Sequence, residues 1–176
     1  MSKPIDFELF DSMFKICNSS KSNLIWNCQK KNVFPGKQAG SIYSNGYWCV
    51  RFRITENSPR CIYFVHRIVY ALHHKTSIDN LFIDHADGNK LNNHVSNLRI
   101  ATLSENQYNK TKYKENATSS YKGVSWGKDQ NKWRAYLYVN KKRISLGYFE
   151  NEIEAAKAYN IAAKKHHGKF AILNNV

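Results

Sequence analysis

Between Ile83 and Asn109 the chain reads IDHADGNKLNNHVSNLRIATLSENQYN, and few folds accommodate that run. Leu81-Phe82-Ile83 is a short apolar strand leading into Asp84-His85. Asp87-Gly88-Asn89 forms a turn in which Gly88 can take a positive φ. Asn92, Asn93 and His94 then make a polar loop, and Asn97-Leu98-Arg99-Ile100 enters a second short strand. Thr102-Leu103-Ser104-Glu105 fits S/T-x-x-E, a capping box that opens a helix over Glu105-Asn106-Gln107-Tyr108. The spacing predicts strand, loop, strand, helix, with polar groups gathered at the strand end and on the first helical turn.

That density of short polar side chains suits phosphodiester cleavage, which needs a base for water, charge on the scissile phosphate and support for the departing oxygen. His85 has an ordinary pKa near neutrality and can take the proton. Asp84, its strand neighbour, points the opposite way and can hold a metal. Asn106 can add a neutral oxygen ligand, and a set of hard oxygen donors suits Mg²⁺ or Mn²⁺. Asn97 is placed to bond backbone across the loop and hold His85 in orientation. The plain alternative is a polar loop built around an Asx-type turn.

Charge points to the same class of partner. The 176 residues carry 27 Lys plus Arg against 13 acidic side chains, a formal +14, as expected of a chain built to meet a polyanion. Residues 110–176 hold net +9 against +5 for 1–109, so phosphate docking is expected mainly in the C-terminal part. No apolar run can span a bilayer, and MSKPIDFELFDSMFK lacks a signal-peptide core, which predicts a cytoplasmic protein. Cys17, Cys28, Cys49 and Cys61 form no C-x-x-C pair, which argues against zinc and for reduced, buried thiols.

The flanking segments read as supports. FELFDSMFKIC is a short amphipathic helix or strand, Leu24-Ile25-Trp26 a buried strand, and Asn45-Gly46 a two-residue hairpin signal. After it Trp48, Val50, Phe52 and Ile54 alternate with Tyr47, Cys49, Arg51 and Arg53, giving a core face and a basic aromatic face that suits DNA. Val65, Ile68, Val69 and Leu72 form the buried stripe of a helix. His66 at its margin is a site-adjacent candidate, and His73 and His74 are surface residues. Residues 110–120 read as a linker. Beyond it YKGVSWGKDQNKWRAYLYVNKKRISLGYF predicts three strands, and Asn151 caps a helix whose alanines sit against them until Gly168 ends it.

VHR at 65–67, IDHADGNKLNNHVSNLR at 83–99 and SEN at 104–106 resemble the HNH (ββα-metal) endonuclease family, specifically its phage-type homing enzymes. With KQAGSI and NGYW upstream, the resemblance covers about residues 24–109. It implies that Asp84 and Asn106 bind the metal, that His85 is the general base and that Asn97 is the central structural asparagine. Many members write Arg at the position of His94, outside the chemical positions. Residues 121–168, through YKGV, KWRAYLYV, ISLGYF and EAAKAYNIAA, resemble the plant ethylene-response-factor (APETALA-type) DNA-binding domain. In that family the sheet enters the major groove. Arg134, Tyr136 and Tyr138 are then the groove-facing set, with Lys122, Ser125, Trp126, Lys128 and Arg143 as further candidates by position. The plant pattern has Arg at Ser125, and Glu and Arg at Tyr136 and Tyr138, so its base preference does not transfer.

The chain is therefore expected to be α+β. An N-terminal antiparallel sheet and ββα motif occupy 1–109, a linker 110–120, and a three-stranded sheet on one helix 121–176. The expected function is Mg²⁺- or Mn²⁺-dependent, sequence-directed cleavage of double-stranded DNA by a monomer or homodimer, one strand per centre, without membrane contact. A restriction endonuclease of the same chemistry and a DNA-binding regulator with a vestigial nuclease segment are the alternatives.

Overall fold

A computed structural model of the chain describes residues 6–29, 33–55, 57–110 and 117–176. It divides into two compact units, Met1–Ala101 and Thr102–Val176. The centre of the expected linker, residues 111–116, lies outside the described residues.

In the first unit Asp6 caps α1 (Phe7–Met13) by accepting from the Glu8 and Leu9 N–H groups. The next strands are β1 (Phe14–Ile16) and β2 (Leu24–Trp26), an antiparallel pair. A second antiparallel sheet follows in the order β3 (Ser41–Ile42), β4 (Trp48–Phe52), β5 (Cys61–Phe64). Phe10, Phe14, Phe52 and Tyr63 pack ring to ring at its centre, with Phe10 and Phe52 each 5.0 Å from Tyr63. β5 runs directly into α2 (Val65–His74), whose stripe of Val65, Ile68, Val69 and Leu72 is buried as its spacing predicts.

Two details of β4 differ from the alternating pattern. The alternation puts Cys49 beside Arg51 on the open face, yet it is buried, as expected of the thiols, because the chain at Gly40 backs onto it. A Cβ on Gly40 would meet the Cys49 oxygen at 2.9 Å, and its φ of +96° is open to glycine. Ile54 was expected in the core but is 45% exposed, since β4 ends at Phe52 and the alternation ends with it.

α2 also steers the strand that carries Asp84 and His85. Arg67, buried at its first turn, donates through Nη2 to the Ile78 carbonyl at 2.8 Å and through Nη1 to the Leu81 carbonyl. Those bonds fix the lead-in to β6 (Phe82–His85), which pairs antiparallel with β7 (Leu98–Ala101). A short 3-10 turn, Val95–Asn97, precedes β7.

The second unit starts at Thr102, whose hydroxyl accepts from the Glu105 N–H while Glu105 accepts from the Thr102 N–H, completing the capping box of α3 (Leu103–Tyr108). Although the sequence reading runs the first domain through 109, α3 packs with the second unit. Tyr108 stacks on His167 at 3.8 Å, and its hydroxyl accepts from the Asn140 N–H at 3.0 Å. The antiparallel sheet has the order β10 (Lys142–Phe149), β9 (Lys132–Val139), β8 (Val124–Gly127). α4 (Glu152–His167) lays Ala155, Ala156, Tyr159, Ala162 and Ala163 against it. Gly123 permits that approach: a Cβ there would lie 2.1 Å from the Tyr159 ring. Among the described residues no helix is long and apolar enough to cross a membrane.

Candidate nuclease centre and nucleic-acid face

The β6–β7 register sets the geometry of the first unit's polar cluster. Asp84 pairs with Arg99 and His85 with Leu98, so the two side chains leave opposite faces of one ribbon. Asp84 is 7% exposed and held by Arg99, whose Nε donates to Oδ2 at 3.0 Å with Nη2 2.9 Å from the same oxygen. The sequence reading treated Arg99 only as part of a strand. Its relation to Asp84 depends on a cross-strand register that becomes visible once the hairpin is closed.

Asn97 stitches the loop between the strands. Its Oδ1 accepts from the Asp87 N–H at 3.0 Å, and its Nδ2 donates to Asp87 Oδ1 at 2.9 Å and to the Asn92 carbonyl at 2.8 Å. Asn92 in turn donates to Asp87 Oδ2 at 2.7 Å. Burial raises the Asp87 carboxyl, but hydrogen bonds from Asn92, the Asn89 N–H and Asn97 outweigh it and hold the group below its ordinary value. Gly88 sits at φ +73°, as the turn requires. His94 Nδ1 pairs with Ser96 at 2.8 Å and closes the 3-10 turn.

His85 is 4% exposed, and its partner through Nε2 is Asn93 Oδ1 at 3.1 Å. Asn93 is fully buried and donates from Nδ2 to the Ser22 carbonyl at 3.2 Å. Sequence reasoning counted Asn93 as loop. The available signal was the doubled Asn92-Asn93, of which one points to the loop and the other inward. Tyr47, His66 and His85 form a ring cluster, with centroids 4.9 Å apart for His66–His85 and 5.8 Å for Tyr47–His85. Burial lowers both imidazole pKa values, more so for His66, and in His85 the Asn93 bond and the Asp87 and Asp84 charges oppose it. Lys90 lies 4.9 Å over Tyr47 and donates to the Asn45 carbonyl at 3.1 Å, fastening the Asn45-Gly46 hairpin to the site loop.

Among the described residues no group of three or more His, Cys, Asp or Glu gathers to hold a metal. Mg²⁺ keeps most of its waters and needs one or two carboxylates plus substrate phosphate, and the Asp84 carboxylate is a donor of that type. Asn106 lies half-buried on α3, in the second unit, with its N–H donating to the Thr102 carbonyl. Cys49 and Cys61 are buried thiols, while Cys17 and Cys28 are half-buried.

In the second unit the register sorts the candidate DNA-contacting residues. Ser125 pairs with Arg134, Tyr136 with Ser145 and Tyr138 with Arg143, so these share the face turned away from α4. Arg134 Nη2 donates to Ser125 Oγ at 3.1 Å, and Arg143 lies 4.3 Å over the Tyr136 ring. Tyr148 joins this face opposite Arg134, 46% exposed. Sequence reasoning missed it because a bulge between Ser145 and Gly147, where Gly147 takes φ +115°, resets the alternation. Trp126 pairs with Trp133 and so lies on the α4 side. Lys122 turns to α3, donating to the Tyr108 carbonyl, and burial pulls its pKa down to about 8. Lys128, Arg51 and Arg53 are exposed, with Arg51 5.0 Å over the Tyr43 ring.

Known proteins share both halves of this arrangement. The HNH endonuclease family matches residues 63–108, and the AP2 domain matches 119–169. Protein 3.8 of Escherichia phage T7 is 37% identical over 90 residues, covering 51% of this chain and 73% of that protein. The chain belongs to the HNH endonuclease family. An uncharacterised HNH endonuclease of Acanthamoeba polyphaga mimivirus, L560, is 34% identical over 113 residues, which are 64% of this chain and 57% of the relative's length. The solved structure of DNA binding and cleavage by the HNH homing endonuclease I-HmuI is 26% identical over 61% of this chain and 56% of that one, at a TM-score of 0.41, too loose to add to the assignment. HNH nucleases generally use a divalent metal ion.

Proposed function

We propose that this HNH protein is a homing-type DNA endonuclease that hydrolyses one strand of double-stranded DNA per engagement, using Mg²⁺ or Mn²⁺. The observation that carries the reading is the buried Asp84–His85 pair at the end of a hairpin whose loop is stitched by Asn97. His85 removes a proton from water, the water oxygen attacks phosphorus, and the 3′-oxygen leaves with its bonding pair. Asp84 and Asn106 would hold the ion, which supplies charge neutralisation at the phosphate and at the leaving oxygen. The Asn106 role rests on its place in the SEN motif. The exposed face of the β8–β10 sheet, with Arg134, Tyr136, Tyr138 and Arg143, and the exposed Arg51 and Arg53 would bind the duplex, and their cations would make affinity fall with salt. Ser125, Trp126, Lys122 and Lys128 stay secondary candidates.

Plasmid cleavage by the full chain tests this. Wild type should convert supercoiled DNA to nicked circles before linear molecules appear, with Mg²⁺ or Mn²⁺ present, and His85→Ala should not. Failure of wild type to cut with either ion, while still binding DNA, would favour a regulator with an idle nuclease unit. One observation speaks for that second reading, namely that Arg99 already engages Asp84 Oδ2. A restriction enzyme would share the chemistry and differ in its target.

A further inference from the structure

Resting on the reading of His85 as the base, we infer that Asn93 is its positioning residue and selects the tautomer in which Nδ1 carries the reactive lone pair. The orientation of the Asn93 amide is set from its far end. Nδ2 lies 3.2 Å from the Ser22 carbonyl, in the segment ahead of β2 and 71 residues away. Flipping the amide would bring two oxygens with no hydrogen between them to that distance inside the core, where Ser22 and Asn93 are both fully buried. Oδ1 therefore faces His85 Nε2 at 3.1 Å. An amide oxygen only accepts, so Nε2 must donate. A neutral imidazole has one N–H, which leaves Nδ1 as the basic nitrogen.

The two asparagines thus divide the work. Asn97 touches Asp87 and Asn92 and shapes the loop, whereas Asn93 ties the imidazole to the N-terminal sheet. In the reaction the water O–H bond breaks, the proton goes to Nδ1 and the oxygen pair forms the new bond to phosphorus. The bond to the 3′-oxygen then breaks and that oxygen takes the electrons. A base whose proton rested on Nδ1 would be unable to begin.

Imidazole ¹⁵N spectroscopy of the metal-free full chain, with the ring neutral, reads the tautomer directly. Wild-type His85 should show a protonated Nε2 and an unprotonated Nδ1. Asn93→Ala should give a mixture of the two neutral forms. In plasmid cleavage Asn93→Ala should lower kcat about 10- to 100-fold with KM nearly unchanged. A wild-type signature of protonated Nδ1, an unchanged tautomer in Asn93→Ala, or a loss confined to KM would overturn the inference. The wild-type spectrum decides the tautomer even if Asn93→Ala does not fold. If wild type fails to cut DNA, the function reading falls, and the spectra still decide whether Asn93 sets the tautomer.

Discussion

The two units handle polar side chains in opposite ways. In the first, Asp84, His85, Asn93 and Asn97 are all less than a tenth exposed and bonded to neighbouring side chains or to backbone. In the second, the face of Arg134, Tyr136 and Tyr138 stays open, with Tyr138 51% exposed and its cations lying over rings. Buried polar groups must be fully partnered, so the first arrangement is rigid and intolerant of change. An exposed basic sheet tolerates change because each cation adds a modest, screened increment. On the proposed function the first unit carries the chemistry and the second the grip, and substitutions should separate the two.

The largest expected effect is on chemistry. His85→Ala should lower the cleavage rate about 10³-fold, within the range of a lost general base, and leave DNA affinity within a few-fold in a gel-shift titration. Parallel loss of rate and affinity would mean that His85 serves binding instead.

Next comes a change that removes the grip wholesale. Gly123 has φ +73°, and an added Cβ would strike the Tyr159 ring and come within 2.5 Å of the Tyr136 carbonyl. Backbone strain and overpacking together should make Gly123→Ala cost about 3 kcal/mol. Calorimetry should show the second unit melting early and the first unit unmoved. A uniform shift of both units would show that their stabilities are not separate.

Gly123 also illustrates what the sequence could and could not reveal. The elements were legible wherever the signal was local: the capping box at Thr102, the stripe from Val65 to Leu72, the Asn151 cap and the alanine face of α4. The HNH signature was equally compact, because one hairpin and one helical turn contain it. Facts that depend on closure were not legible. Arg99 meets Asp84 through register, the Asn93 amide is turned toward His85 by its bond to Ser22, 71 residues earlier, and Lys122 turns to α3. Tyr148 changed face because of a bulge, and Cys49 lost its exposed place to the chain at Gly40. In each case the partner is distant in sequence or the period of two is broken.

A smaller effect should come from single cations on the open face. Arg134→Ala should weaken DNA binding about tenfold at low salt and flatten the salt dependence by about one counterion, with single-turnover cleavage at saturating enzyme nearly unchanged. A drop in the saturated rate would place Arg134 nearer the chemistry than the sheet face suggests.

The smallest effect is a pH dependence that also distinguishes the units. His66 is buried, its Nδ1 has no hydrogen-bond partner among the described residues, and burial foremost, then the neighbouring His85 and Arg67, hold its pKa well below the ordinary 6.5. The unfolded chain therefore takes up the proton first as pH falls. The stability that neutral His66 contributes is present above about pH 6.5 and is lost progressively below it, toward the depressed folded value. In the second unit burial also lowers His167, but its Nε2 faces the Tyr138 carbonyl at 2.9 Å, a contact that favours the charged form and blunts the shift. Acidification from pH 7.5 to 5.5 should consequently lower the melting temperature of the first unit more than that of the second. His66→Gln should remove part of that difference, because glutamine has no proton to take up. If the acid sensitivity of the first unit is unchanged in His66→Gln, the loss belongs to other groups, and the buried imidazole pair is not what makes the chemical unit the more fragile of the two.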